Sequence, residues 1–62
     1  MRKEYHLKDE THNKSLSIYG KKDTAIERFN KVKDWYSDRG IVLGLYEVFF
    51  VGCSFHHAIK LM

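Results

Sequence analysis

Four histidines and one cysteine stand in a chain of 62 residues, and metal or nucleophilic chemistry would begin with these side chains. Cys53 and His56 are separated by two residues, a ligand-like Cys-x-x-His spacing, and His6 or His12 could approach from an earlier strand. A structural zinc held in this way would support a chain too small to build a large core. The pattern stops short of a site. His56 and His57 are adjacent, and on a strand neighbours point to opposite faces, so only one of them can join Cys53. No second Cys-x-x-Cys or His-x-x-x-His pair completes a tetrahedral set. The simpler expectation is a buried thiol acting as a small hydrophobe beside two partly exposed imidazoles, with no metal and no other cofactor.

Nucleophilic catalysis by Cys53 or Ser54 needs a base within reach and a third group to orient that base. His56 and His57 supply the base, but the tail has no carboxylate nearer than Glu47. One sheet and one helix of this length also leave little room for a pocket. No catalytic residue, and hence no enzyme, is expected. Glycine-rich phosphate loops of the G-x-G-x-x-G and G-x-x-x-x-G-K-S/T kinds are absent.

Binding of nucleic acid is the alternative with the most support. Lys and Arg outnumber Asp and Glu by 11 to 8, a formal charge of +3. Lys21 and Lys22 precede a predicted helix that carries Arg28, Lys31 and Lys33, while Tyr5, Tyr19 and Tyr46 could stack bases on a sheet. Asp23, Glu27, Asp34 and Asp38 interrupt any phosphate track on that helix. Arg39-Gly40-Ile41-Val42 also lacks the aromatics that an RNA-recognition signature places after its glycine. Interspersed charge of this kind reads first as a solvated surface.

The elements that would position these groups follow from periodicity. Tyr5, Leu7 and Asp9 alternate with His6, Lys8 and Glu10, and Leu16 and Ile18 alternate with Ser15, Ser17 and Tyr19. The polar stretch Thr11–Lys14 between them turns easily at Asn13, so residues 4–20 read as a β-hairpin. Residues 24–38 read as a helix. Thr24 and Glu27 match a capping box, Glu27 and Lys31 are placed for an i,i+4 pair, and Gly40 suits a left-handed cap. Ala25, Phe29, Val32 and Tyr36 form its apolar stripe, with Ile26 and Trp35 on the flanks.

Residues 41–62 form a β-rich tail in which 15 of the last 23 residues, counted from Gly40, are apolar. Both faces of Ile41–Val51 are apolar except at Glu47, Gly52-Cys53-Ser54 offers a turn, and Phe55–Met62 reads as a strand or a short helix. As a strand it would place Phe55, His57, Ile59 and Leu61 on one face.

The expected fold is therefore α+β. A single domain spans residues 1–62 in the order ββαββ, an antiparallel sheet with one amphipathic helix on one face. One helix cannot cover both faces of such a sheet, and Phe49 or Phe50 must fall on the uncovered one. A lone cysteine excludes an internal disulfide, and at this size burial and chain entropy nearly cancel. Together these point to a small protein-binding module, an inhibitor, antitoxin or phage-type antagonist, acting through a protein partner or as a homodimer. Tyr46, Val48, Phe49 and Phe50, with Trp35 as a helix-flank anchor, are the expected contact residues. The alternative is a nucleic-acid-binding regulator using Lys21, Lys22, Arg28 and Lys31. The run Ile41–Val51 is too short to span a bilayer, no apolar segment follows the charged start, and the free thiol suits a reducing compartment. A cytoplasmic location without membrane contact is the expectation.

Overall fold

The computed structural model describes residues 2–62. Its elements run β1 (Arg2–Asp9), β2 (Lys14–Tyr19), α1 (Lys22–Ser37), β3 (Leu43–Val51) and β4 (Ser54–Lys60). The four strands form one sheet in the order β2-β1-β3-β4, with every neighbouring pair antiparallel. This is the expected ββαββ arrangement in one small domain. β2 and β3 both run against β1 and so run parallel to each other, which requires a crossover, and the 16-residue helix provides it.

Directly opposed residues share a face, so register sorts the side chains. Tyr5, Leu7 and Asp9 of β1 oppose Glu47, Leu45 and Leu43 of β3, and this face carries the helix. The core is Tyr5, Ala25 and Leu45, with Tyr19, Ile26, Phe29 and Leu61 packed around them. Leu45 is fully buried, and Ala25 is the helix residue that is buried with it. A methyl there lets the helix lie down on the strands; a longer side chain would hold it off.

Two bulges change which side chains share a face. In β2 the register slips so that Leu7 opposes Ser17 but Lys8 opposes Ser15, leaving Leu16 as the extra residue. Tyr5 opposes Tyr19 and His6 opposes Ile18, so Tyr19 turns to the core while Ile18 is exposed on the other face. In β4 the slip falls at His56, because Phe49 opposes His57 but Phe50 opposes Phe55. Phe55 thus shares a face with Phe50, whereas His57 and Ile59 lie on the helix side. The uninterrupted alternation expected for Phe55–Leu61 is corrected by this bulge.

The helix begins two residues earlier than its capping signal. Lys21 is the cap residue and makes no side-chain capping bond, and the first ladder bond runs from Ala25 N–H to the Lys21 carbonyl, 3.1 Å. Thr24 therefore lies inside the first turn and the Thr24–Glu27 box does not form. Glu27 and Lys31 likewise form no ion pair among the described residues. The other end behaves as its sequence requires. Gly40 has φ +73°, its N–H reaches the Ser37 carbonyl, and Ile41 N–H reaches the Tyr36 carbonyl, both at 3.0 Å. These two bonds make a Schellman cap, which satisfies carbonyls that the helix end would leave open.

Both hairpin turns use a left-handed residue. Asn13 has φ +53° between β1 and β2, and Gly52 has φ +63° in the two-residue Gly52-Cys53 turn between β3 and β4. Among the described residues, no helix is long and apolar enough to cross a membrane.

Candidate functional site

The helix lies over β2, β1 and β3 and does not reach β4. Two surfaces are left without a cover: the sheet face opposite the helix, and the edge strand β4 on both of its sides.

The face opposite the helix is built from Arg2, Glu4, His6 and Lys8 of β1, and Gly44, Tyr46, Val48 and Phe50 of β3. Phe55, Ala58 and Lys60 of β4 complete it. Its charges are largely paired. Glu4 receives Arg2 at 3.6 Å and His6 at 3.2 Å, and Lys60 Nζ donates to Glu10 Oε2 at 2.9 Å. The second Glu10 oxygen accepts the Tyr46 hydroxyl. Glu10 follows β1, Tyr46 lies in β3 and Lys60 ends β4, so one carboxylate straps three strands together. The Tyr46 hydroxyl and the Lys60 ammonium hold the Glu10 carboxyl below its ordinary range; Glu10 in return raises both Tyr46 and Lys60.

Gly44 makes this strap possible. A Cβ at Gly44 would come within 2.8 Å of the Glu10 carboxyl carbon and 3.0 Å of the Tyr46 ring. A glycine inside a strand often marks such a close approach, and that is the signal in the sequence by which Glu10, Tyr46 and Lys60 could have been found together. Beside the strap is a shallow depression of about 400 Å³ lined by His6, Lys8, Asn13, Ser15, Tyr46, Val48 and Ala58.

The edge is different. Phe55 is 63% exposed, and Val51, Ile59 and Met62 are exposed with it. Phe50 and Phe55 meet edge to face at 6.4 Å on one side of the sheet. On the other side Phe49 stacks on His57 at 4.3 Å, and the Lys3 ammonium lies 5.5 Å from the Phe49 ring. Beyond β4, Leu61 N–H donates to the Leu45 carbonyl at 2.7 Å and Leu45 N–H to the Met62 carbonyl at 3.1 Å. The strand is thereby fixed along its inner side, and among the described residues its outer backbone groups have no neighbouring strand.

The expected contact residues do not form one patch. Tyr46, Val48 and Phe50 share the face opposite the helix, Phe49 lies on the helix side, and Trp35 stands on the helix itself. Val48 is only 6% exposed, so it floors the depression and offers little surface. Val51, Phe55 and Ile59, which that set omits, are exposed, whereas its strand members Tyr46, Val48, Phe49 and Phe50 are half-buried or buried and only Trp35 is open.

The groups considered for chemistry are dispersed. Cys53 is exposed at the turn, which corrects the expectation of a buried thiol. The bulge brings the His56 and His57 rings together, with centroids 4.8 Å apart, so the two imidazoles do not part to opposite faces. Among the described residues no group of three or more His, Cys, Asp or Glu side chains is placed to hold a metal ion. His12 instead binds Asp9, through its backbone N–H at 3.0 Å and its Nδ1 at 2.7 Å. Burial works to raise the Asp9 carboxyl, but these bonds and the Thr11 backbone N–H outweigh it and hold it below its ordinary range. Glu47, the one polar residue in the apolar run, accepts the Tyr5 hydroxyl at 2.9 Å, which raises that phenol. Lys21, Lys22, Arg28 and Lys31 are all exposed, and none has an acidic partner within 4 Å among the described residues.

No protein-family model matches the chain, and no curated protein or solved structure is significantly similar to it.

Proposed function

We propose that the chain is a small non-enzymatic protein-binding module that docks through β4, and that the free chain covers the same edge with a second copy as a homodimer. One observation carries this reading: β4 is an edge strand beyond the reach of the helix, with exposed apolar side chains on both of its faces. An unpaired strand edge is a template for another strand, and apolar side chains on either side of it add area to the docking. β2, the opposite edge, also carries a bulge, but it exposes a large apolar side chain on one face only, Ile18, and begins with Lys14 and Ser15, whereas β4 exposes Phe55 on one face and Ile59 on the other. The face opposite the helix also suits docking less well, because its carboxylates already hold cations and Val48 is covered.

A module of this kind acts by occlusion. It adds a strand to a partner and blocks what that surface would otherwise bind, which is the action of an inhibitor, an antitoxin or a phage-type antagonist. Self-association and partner binding then compete for β4. Sedimentation velocity across a wide concentration range tests the first step. The native chain should pass from monomer to dimer, and Ile59→Lys should remain monomeric with unchanged far-UV circular dichroism. A native chain that stays monomeric at high concentration refutes the homodimer.

A further inference from the structure

The helix, which makes no contact with β4, carries a second, chemically different surface. Trp35 is 52% exposed, an unusual state for the chain's one tryptophan, and the Arg39 guanidinium lies over its ring at 3.5 Å from the centroid. Arg39 is held there by a hydrogen bond from Nη1 to the Trp35 carbonyl, 3.0 Å. Tyr36 meets the indole edge to face at 4.8 Å. Beside this stack is a depression of about 320 Å³ lined by Arg28, Lys31, Val32, Trp35 and Tyr36. At about 100° per residue, Arg28, Lys31 and Trp35 fall within about 60° of arc, and Glu27, Asp34 and Asp38 lie on the neighbouring arc. Arg28, Lys31 and Arg39 have no acidic partner within 4 Å among the described residues.

We propose that Arg28, Lys31, Trp35 and Arg39 form a binding site for single-stranded nucleic acid, in which an unpaired base stacks on the indole–guanidinium pair and the cations take the flanking phosphates. The chemistry asks for a ligand that is planar and anionic at once. An aromatic ring stacked with a guanidinium is a platform for any base, since every base offers a π-face. A duplex keeps its bases stacked on each other, so it presents only phosphate to this surface. The acidic arc beside the site limits the track to a few nucleotides and repels a long, uniformly charged polyanion. This site is separate from β4 and does not depend on the docking proposed above. It also moves the basic centre from Lys21 and Lys22, at the helix start, to the last three turns and the residues that follow them.

The test is a titration of the whole chain with a short oligothymidylate at low salt, followed by the fluorescence of Trp35. Stacking should quench the signal saturably. With three phosphate contacts, log K should fall with log salt at a slope of about −2. Trp35→Leu, followed by anisotropy of a labelled oligonucleotide, should weaken binding about ten-fold or more. Arg28→Gln with Lys31→Gln should lower the salt slope by about 1.4. All three positions are exposed, so unchanged circular dichroism should accompany each loss. The proposal is overturned by the absence of quenching, or by a Trp35→Leu chain that binds as tightly as the native one. It is equally overturned if polyglutamate or vesicles of anionic lipid bind as well as the oligonucleotide, since the surface would then select charge without a base.

Discussion

Removing the Phe55 ring by Phe55→Ala should separate association from folding. An aromatic side chain presents about 150–250 Å², and at 63% exposure roughly 125 Å² of Phe55 stays open in the lone chain. Covering half of that at about 25 cal/mol/Å² contributes about 1.5 kcal/mol per protomer, or about 3 kcal/mol for two copies. Since about 1.4 kcal/mol is a factor of ten, the dimer constant should weaken by about 100-fold. Within one chain the variant loses the edge-to-face contact with Phe50 at 6.4 Å, which costs about 0.5–1.5 kcal/mol. Sedimentation equilibrium reads the first effect, and urea unfolding of dilute, monomeric protein reads the second. A dimer constant unchanged within a factor of three, beside a normal unfolding curve, refutes the placement of Phe55 in the interface. A loss of association that merely tracks a loss of folded chain refutes the separation.

Leu45→Ala should act in the opposite way. Leu45 is fully buried beneath the helix, and truncations of this kind cost about 2.7–5 kcal/mol, comparable with the whole stability expected of a domain this small. The variant should therefore be largely unfolded by circular dichroism in dilute solution. Asp9→Asn should flatten the acid limb of the stability profile. The folded Asp9 carboxyl lies below its ordinary value, so its contribution is present above the unfolded value and fades as pH falls through the folded one. Urea midpoints between neutral and strongly acid pH check this, and an equally steep acid limb in the variant contradicts it. Gly44→Ala should dislodge the Glu10 carboxylate, because the added methyl meets it at 2.8 Å. The Tyr46 hydroxyl, raised by Glu10, should then titrate closer to 10 in an alkaline difference spectrum, as it should in Glu10→Ala.

The elements were legible in the sequence because each is set locally. Alternation marked β1, the 3.6-residue stripe from Ala25 to Tyr36 marked the helix, and Gly40 and Asn13 marked their turns. What periodicity could not reveal were the two bulges. A bulge leaves composition unchanged and moves side chains between faces, so Tyr19 reached the core face and Phe55 parted from His57 and Ile59, with which plain alternation groups it. The capping box failed for a related reason. Thr24 and Glu27 have the right spacing, but the chain was already helical at Lys22, and a competing start only two residues away cannot be ranked by pattern.

The site was less legible than the fold. An apolar excess after Gly40 pointed correctly to more surface than one helix can cover. Its distribution depends on where that helix lies across the sheet, which is a tertiary fact. The helix covers β2, β1 and β3, so the surplus collects at β4 and less of it in the middle of the open face. Tyr46 is likewise occupied in holding Glu10, and Val48 is sheltered between strands. Trp35 was visible as a flank residue, but its stack with Arg39 required the cap to fold Arg39 back over the last turn.

The central claim is that the outer edge of β4 is the docking element, and amide hydrogen exchange read residue by residue tests it most directly. The backbone groups of β4 that face away from β3 are open in the lone chain. The account predicts that their amides, within Ser54–Lys60, exchange freely in dilute protein and become protected as concentration rises, while those of β2 do not change. Exchange at β4 that is independent of concentration, in a sample shown by sedimentation to be dimeric, would contradict it.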